Sequence, residues 1–240
     1  MASNNPPLLF IHGFRGNELG LKPVAERLAG FKTYVPTIPP AEKQNLLKYD
    51  ASHYADWIAS YITKEKLQQP VLIGHSMGSI IAAATAAKYP QLVNNKIILL
   101  APISSKPNKF FAALSPLSAV LPNSIVDFIT TKYLIVPKDK AFFNKVLDIT
   151  HQCSASYQNK SEVFKTARFS VKHCIGDFDF KKDTLLLAGQ TDRLISQKHT
   201  QALADKIGAK AIFLENAGHL LNYECPDATA KIITQFLLAE

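Results

Sequence analysis

The stretch Leu72–Ile80 reads LIGHSMGSI. An apolar run stops here, Ser76 stands midway between Gly74 and Gly78, and an alanine-rich, helix-forming segment follows. A G-x-S-x-G pattern between a strand and a helix puts the serine on a sharp turn, with its hydroxyl above the carboxyl end of the sheet. The two glycines carry no side chain to collide as the helix folds back across the strand. Ser79, Ala82 and Ala83 are small enough for close helix-to-sheet packing. Two readings of Ser76 remain open at this point: a helix N-cap, or a nucleophile. A serine hydroxyl attacks well at neutral pH only when a base takes its proton. The second reading therefore requires a histidine and a carboxylate elsewhere in the chain.

Outward from the elbow, short apolar runs recur: LLFI (Leu8–Ile11), TYV (Thr33–Val35), VLI (Val71–Ile73), IILL (Ile97–Leu100), TLLLA (Thr184–Ala188) and AIFL (Ala211–Leu214). Runs this short and apolar suit strands buried on both faces. Helical patterns lie between most of them, over Leu21–Leu28, Ala51–Lys66, Met77–Tyr89, Lys198–Ile207 and Asp227–Leu238. Strand and helix in alternation predict an α/β fold with a mostly parallel sheet and helices on both faces. One interval breaks the rhythm. From Ile103 to about Asp179 there is no clear strand, but NKFFAAL, SIVDFITTKYL, KAFFNKVL and SEVFKTARF are helical and rich in aromatics. A compact domain does not carry so long a structureless loop. Residues 103–178 are therefore expected to be an inserted helical lid, and residues 1–102 and 179–240 the core.

Catalytic groups of open parallel sheets gather at the carboxyl ends of the strands. Just past TLLLA comes GQTDRLI with Asp192, and just past AIFL comes ENAGHLL with His219. Asp179 and Asp183 precede their strand, at the other end of the sheet, and Asp205 is on a helix. His53 and His199 fall in helical patterns, His151 and His173 in the lid, and His75 points away from its neighbour Ser76. The order Ser76, Asp192, His219 is the order of nucleophile, acid and base in one family of triad enzymes.

Four motifs in register now carry a resemblance. FIHGFRGN (Phe10–Asn17), GHSMG (Gly74–Gly78), AGQTDRLIS (Ala188–Ser196) and NAGHLLNYECPD (Asn216–Asp227) resemble the oxyanion loop, nucleophile elbow, acid loop and histidine loop of the α/β-hydrolase superfamily. The likeness is to a small, lidded, esterase- or lipase-like member and covers essentially the whole chain. It implies an α/β-hydrolase fold of about six strands, a Ser76–His219–Asp192 triad, and an oxyanion hole of the backbone N–H groups of Phe14 and Met77. It also implies a serine hydrolase that cleaves carboxylic esters of short to medium acyl chain through an acyl-enzyme. Three features depart from the family pattern: Ser79 where a further glycine is common, no leading antiparallel strands before Leu8, and AEKQNLL after TYVPTIPP in place of a glycine-rich turn. Haloalkane dehalogenases and epoxide hydrolases are disfavoured, because their elbow carries aspartate where this chain has Ser76. Carbon–carbon bond hydrolases and cofactor-free peroxidases share the triad and stay open, as does a slow-turnover receptor on the same fold.

His12 and Gly13 are candidates for the substrate pocket, since glycine lets backbone approach a ligand. Phe142 and Phe143 are further candidates, among the lid aromatics Phe110, Phe111, Phe164 and Phe169 that would bury together. Arg15 could contact an acidic group of a substrate, but is expected at the solvated surface. The chain has 27 Lys and Arg against 19 Asp and Glu, and eight basic residues against three acidic between Lys132 and Lys172. That basic lid is either a solvated surface or, as in small esterases of carrier-bound methyl esters that the overall plan resembles, a dock for an acidic acyl carrier protein. Scattered lysines without a recognisable module argue against nucleic acid. No apolar run approaches the roughly 20 residues of a membrane span, and MASNNPPLLF lacks the form of a signal peptide, so a cytoplasmic protein is expected. Cys153, Cys174 and Cys225 have no metal-type spacing. They are expected reduced, with no metal and no cofactor.

Overall fold

The computed structural model describes residues 5–106, 118–136 and 138–239. Each apolar run becomes a strand: β1 (Leu8–Ile11), β2 (Thr33–Tyr34), β3 (Val71–His75), β4 (Lys96–Leu100), β5 (Asp183–Gly189) and β6 (Lys210–Leu214). They form one six-stranded sheet in the order β2-β1-β3-β4-β5-β6, with every pair parallel. The order reverses between β1 and β3. In open α/β sheets the crevice outside such a reversal is where ligands bind, and Ser76 follows β3 directly.

Side chains alternate across a strand, which splits the apolar runs between two layers. Leu9, Ile11, Leu72, Ile97, Leu99 and Leu186 pack against α2 (Ala51–Lys64) and α3 (Met77–Lys88). Leu8, Phe10, Ile73, Ile98, Leu100 and Leu187 pack on the other face, with Val24 and Ala25 of α1 (Lys22–Ala25) and Ala230 and Ile233 of α9 (Pro226–Leu238). Helix α2 begins where the Asp50 carboxylate accepts from His53 N–H, and it buries Ala51, Tyr54, Ala55, Ile58 and Ile62. That spacing of three and four is one helical face. Each large aliphatic side chain so buried stabilises the fold by about 2 kcal/mol. The helix expected over Leu21–Leu28 is a single turn. Past Ala25 the chain tightens, with Arg27 N–H donating to Val24 O and Leu28 N–H to Ala25 O.

Between β4 and β5 lie α4 (Asn123–Leu134), α5 (Lys140–Ser154) and α6 (Lys160–Lys172). The Asp139 and Asn159 side chains cap α5 and α6 by accepting from Phe142 N–H (2.7 Å) and Ser161 N–H (3.0 Å). Helix α6 seats Phe169 in the core, with its ring 4.9 Å from that of Tyr54 on α2. Helix α4 leaves Ile125, Phe128 and Ile129 exposed. Phe110 and Phe111 lie outside the described residues. Among the described residues no helix is long and apolar enough to cross a membrane.

Candidate active site

At the end of β3 the backbone turns sharply through Ser76, whose φ of 52° and ψ of −121° lie where L-residues rarely go. Such strain costs about 1–3 kcal/mol and persists only where the surroundings overdetermine it. Here they do. A Cβ on Gly78 would stand 2.0 Å from Ile11 O, and one on Gly74 would stand 2.4 Å from Gly78 O. Ser79 does more than fill a small position, because its Oγ donates to Ser76 O and accepts from Ile103 N–H at 3.1 Å. Its hydroxyl thus ties the elbow to the start of the helical insertion, a bond that glycine could not make.

Two loops bring partners to Ser76. After β5, Asp192 is fixed by Leu194 N–H (2.8 Å) and Ile195 N–H (3.1 Å), both donating to Oδ1. After β6, the chain turns through Gly218 to His219, whose N–H donates to Leu134 O of α4 at 2.8 Å. His219 Nδ1–H donates to Asp192 Oδ2 at 2.7 Å, and Ser76 Oγ–H lies 2.8 Å from His219 Nε2. Both side chains of the His219–Asp192 pair are 2% exposed. Burial by itself raises the Asp192 pKa, but His219 and the two backbone donors together outweigh it and hold the carboxyl below its usual value. Asp183 opens β5 at the opposite end of the sheet, as the sequence reading required. A buried, ordered Asp–His–Ser relay of this kind can take a proton from the serine hydroxyl and return it to a leaving group.

The sequence matches the alpha/beta hydrolase family over residues 8–232. The chain belongs to that family. The 2-(acetamidomethylene)succinate hydrolase of Mesorhizobium japonicum is 25% identical, over 98% of this chain and 88% of its own length. Lipase 3 of a Moraxella species is 26% identical, over 94% of this chain and 75% of its own. Among solved structures, an esterase from Exiguobacterium antarcticum superposes with a TM-score of 0.84 at 16% identity, covering 100% of this chain and 94% of that one. At that identity the superposition speaks for the fold alone. Family and relatives together support an enzyme of the hydrolase class.

Ser76 and His219 open onto a cavity of about 480 Å³, whose apolar walls include Ile103, Val126, Ile129, Leu134, Val171 and Leu194. The alpha/beta hydrolase core contributes His12, Gly13, Phe14 and Met77 to the same walls. Among the described residues, neither Phe14 N–H nor Met77 N–H is engaged by a backbone acceptor. His12 lines the cavity in a fixed role. Its Nε2 accepts from Ile38 N–H at 2.9 Å and its Nδ1–H donates to Gly13 O at 2.9 Å. Burial pushes its pKa down to about 4, so the imidazole stays neutral and braces the loop. Burial, then the neighbouring His219, lowers the pKa of His75 to about 3. His75 Nε2–H donates to His219 O at 3.1 Å.

Two expectations are corrected. Phe142 and Phe143 do not line the cavity. They sit in the first turn of α5, where Phe143 packs edge-on against Phe128 (5.7 Å) and Phe142 lies under Lys138 Nζ (5.2 Å), while Thr150 and Cys153 at the far end of the helix reach the cavity. Arg15 is not a surface residue: it is 7% exposed and paired with buried Asp127 of α4 at 3.1 Å. Glu224 was not singled out from the sequence, although it stands in the Glu-x-Pro tail of the histidine loop. Its buried carboxylate accepts from Gly218 N–H (3.0 Å) and Val136 N–H (2.6 Å), bridging that loop to the insertion. Burial raises its pKa.

Proposed function

We propose that this alpha/beta hydrolase is a serine esterase for uncharged carboxylic esters of short to medium acyl chain. The observation that carries the reading is the unbroken relay Asp192–His219–Ser76, at 2.7 and 2.8 Å, opening on a largely apolar cavity. Ser76 Oγ attacks the acyl carbon while its proton passes to His219 Nε2. Asp192 holds the imidazole with Nδ1 protonated and stabilises the imidazolium that forms. The oxyanion accepts from Phe14 N–H and Met77 N–H, and loss of one such donor costs about 3 kcal/mol in the barrier. Collapse breaks the C–O bond, and the alcohol departs with the proton from His219. Water then attacks the acyl-enzyme, gives a proton to Nε2, and the carboxylic acid leaves as Ser76 regains its hydrogen.

The apolar walls suit an acyl chain without charge, because an ionic group there would be desolvated without a free counter-charge. Residues 103–178 act as the cap that supplies about half of the residues lining those walls, on a core of residues 1–102 and 179–240. The test has two parts. A fluorophosphonate probe should label the wild-type chain, and p-nitrophenyl esters of increasing length should show an optimum at short to medium acyl groups. Ser76→Ala should abolish labelling and lower turnover by on the order of 10⁴-fold. An alanine variant that labels fully would overturn the assignment.

A further inference from the structure

The loop that carries Phe14 is gripped by the helical insertion at three successive residues. Arg15 Nη1 donates to Ser118 O (3.2 Å), and Nη2 donates to Asn123 Oδ1 (2.9 Å) and Asp127 Oδ1 (3.1 Å). Tyr157 OH donates to Gly16 O (2.9 Å), and Asn17 Nδ2 donates to Ser156 Oγ (3.2 Å). Asp127 is fully buried and its second oxygen accepts from Ser154 Oγ at 2.5 Å, so the far end of the clasp is itself braced by α5. Meanwhile Gly16 N–H donates to Gly13 O at 3.1 Å, closing a tight turn with Phe14 and Arg15 at its centre. Arg15 has φ 59°, a conformation that turns usually give to glycine.

The sequence therefore places at a glycine-favouring turn position a long cation whose guanidinium is anchored in another part of the fold. Left-handed backbone costs a non-glycine residue about 1–2 kcal/mol. An arginine is worth that strain here only if the anchor holds the turn in one shape. Burying an ion pair is a poor route to stability, since desolvation offsets most of the attraction. It is a good way to forbid alternative arrangements, because any of them leaves a charge buried and alone.

We propose that Arg15 is a positioning residue: through its clasp on Asp127, the helical insertion sets the direction of the Phe14 N–H toward the oxyanion. The proposal rests on the reading of Ser76 as nucleophile and adds to it a second, non-reacting determinant of rate. A displacement of about 1 Å at such a donor is enough to lower a rate on the order of 100-fold.

The experiment compares Arg15→Met, Arg15→Lys and the double variant Arg15→Met/Asp127→Leu with wild type, in the full chain, by melting temperature and by kcat and KM on p-nitrophenyl butyrate. Arg15→Met should lose about 10- to 100-fold in kcat with KM within about threefold. A trifluoromethyl ketone, which adds to Ser76 as an oxyanion, should bind more weakly by the same factor. Arg15→Lys keeps the charge but not the fork and should fall between the two. The double variant removes both charges, so its melting temperature should recover while kcat stays low. Where Arg15→Met alone fails to fold, the double variant carries the comparison. Recovery of kcat together with melting temperature in the double variant would reduce the clasp to a structural contact and overturn the proposal. Wild-type kcat in Arg15→Met beside a dead Ser76→Ala would sink the clasp and leave the nucleophile standing. Turnover surviving in Ser76→Ala would instead remove the nucleophile.

Discussion

At the elbow, backbone meets backbone; at the helical insertion, side chains reach across to loops. Gly78 is glycine because a Cβ would occupy the space of Ile11 O, and the β1–β3 register that pairs Ile11 with Gly74 fixes this through the backbone alone. The insertion is held largely by side chains that reach across: Glu224 with Val136 N–H, Tyr157 with Gly16 O, Asp127 with Arg15. The first kind of contact dictates a residue type at one position. The second dictates only a partnership, which a paired change can preserve. In this molecule the turn that carries Ser76 rests on contacts of the first kind. The histidine loop, the Phe14 loop and the cavity walls of the insertion also draw on the second.

The most severe way to break that contrast lies in the relay. Asp192→Asn keeps the loop bonds possible at Oδ1, but it presents His219 Nδ1 with a group that can favour the wrong tautomer and cannot stabilise imidazolium. A fall in kcat of about 10⁴-fold is expected, with melting temperature little changed. Asp183→Asn, at the other end of β5, should leave kcat near wild type. Wild-type turnover in Asp192→Asn would move the acid elsewhere.

The same contrast explains what could be read from the sequence. Six apolar runs yielded six strands: β1, β3, β4 and β5 are buried along nearly their whole length, while the edge strands β2 and β6 are only partly buried and show through their apolar, β-branched and aromatic residues. Ser76, Asp192 and His219 were legible as loop residues at carboxyl ends of strands, and the structure brings them together. Arg15 was misread because its partner lies 112 positions away, and nothing near Arg15 in the chain marks it as buried. Phe142 and Phe143 were misread because apolar character marks a helix face as inward but does not say which end of the helix reaches the cavity. Glu224 carried a usable signal, an acid two residues before Pro226 in the histidine loop, whose pairing with Val136 only the fold reveals.

Acid offers a milder probe of the difference. His12 and His75 are buried at the catalytic end of the core, with pKa values lowered to about 4 and about 3, whereas His151 and His173 of the insertion are partly exposed. Unfolded chain takes up protons on these two histidines near pH 6.5, while the folded chain refuses them until far lower. Their contribution is thus complete above about pH 6.5 and is lost as pH falls toward 4, by about 1.4 kcal/mol per pH unit for each histidine. Thermal melts between pH 7.5 and 4.5 should show that decline. His75→Asn, whose amide can still donate to His219 O, should flatten the slope, and an unchanged slope would place the acid sensitivity elsewhere.

The smallest effect tests where the cavity ends. Phe143 packs edge-on against Phe128 at 5.7 Å and 79°, joining α4 to α5 on the side away from Ser76. Such a pair contributes about 1 kcal/mol beyond the area it buries. Phe143→Ala should therefore lower the melting temperature slightly and leave the acyl-length preference untouched. Val126 lies on α4 as well, but its side chain is buried and forms part of the cavity wall. Val126→Phe adds volume there, so it should shift the optimum to shorter acyl chains even if stability barely moves. One helix pair then has one face that selects substrate and another that only holds the helices together. If Phe143→Ala changed the preferred acyl length and Val126→Phe did not, the selecting face would have to be drawn on the opposite side of α4.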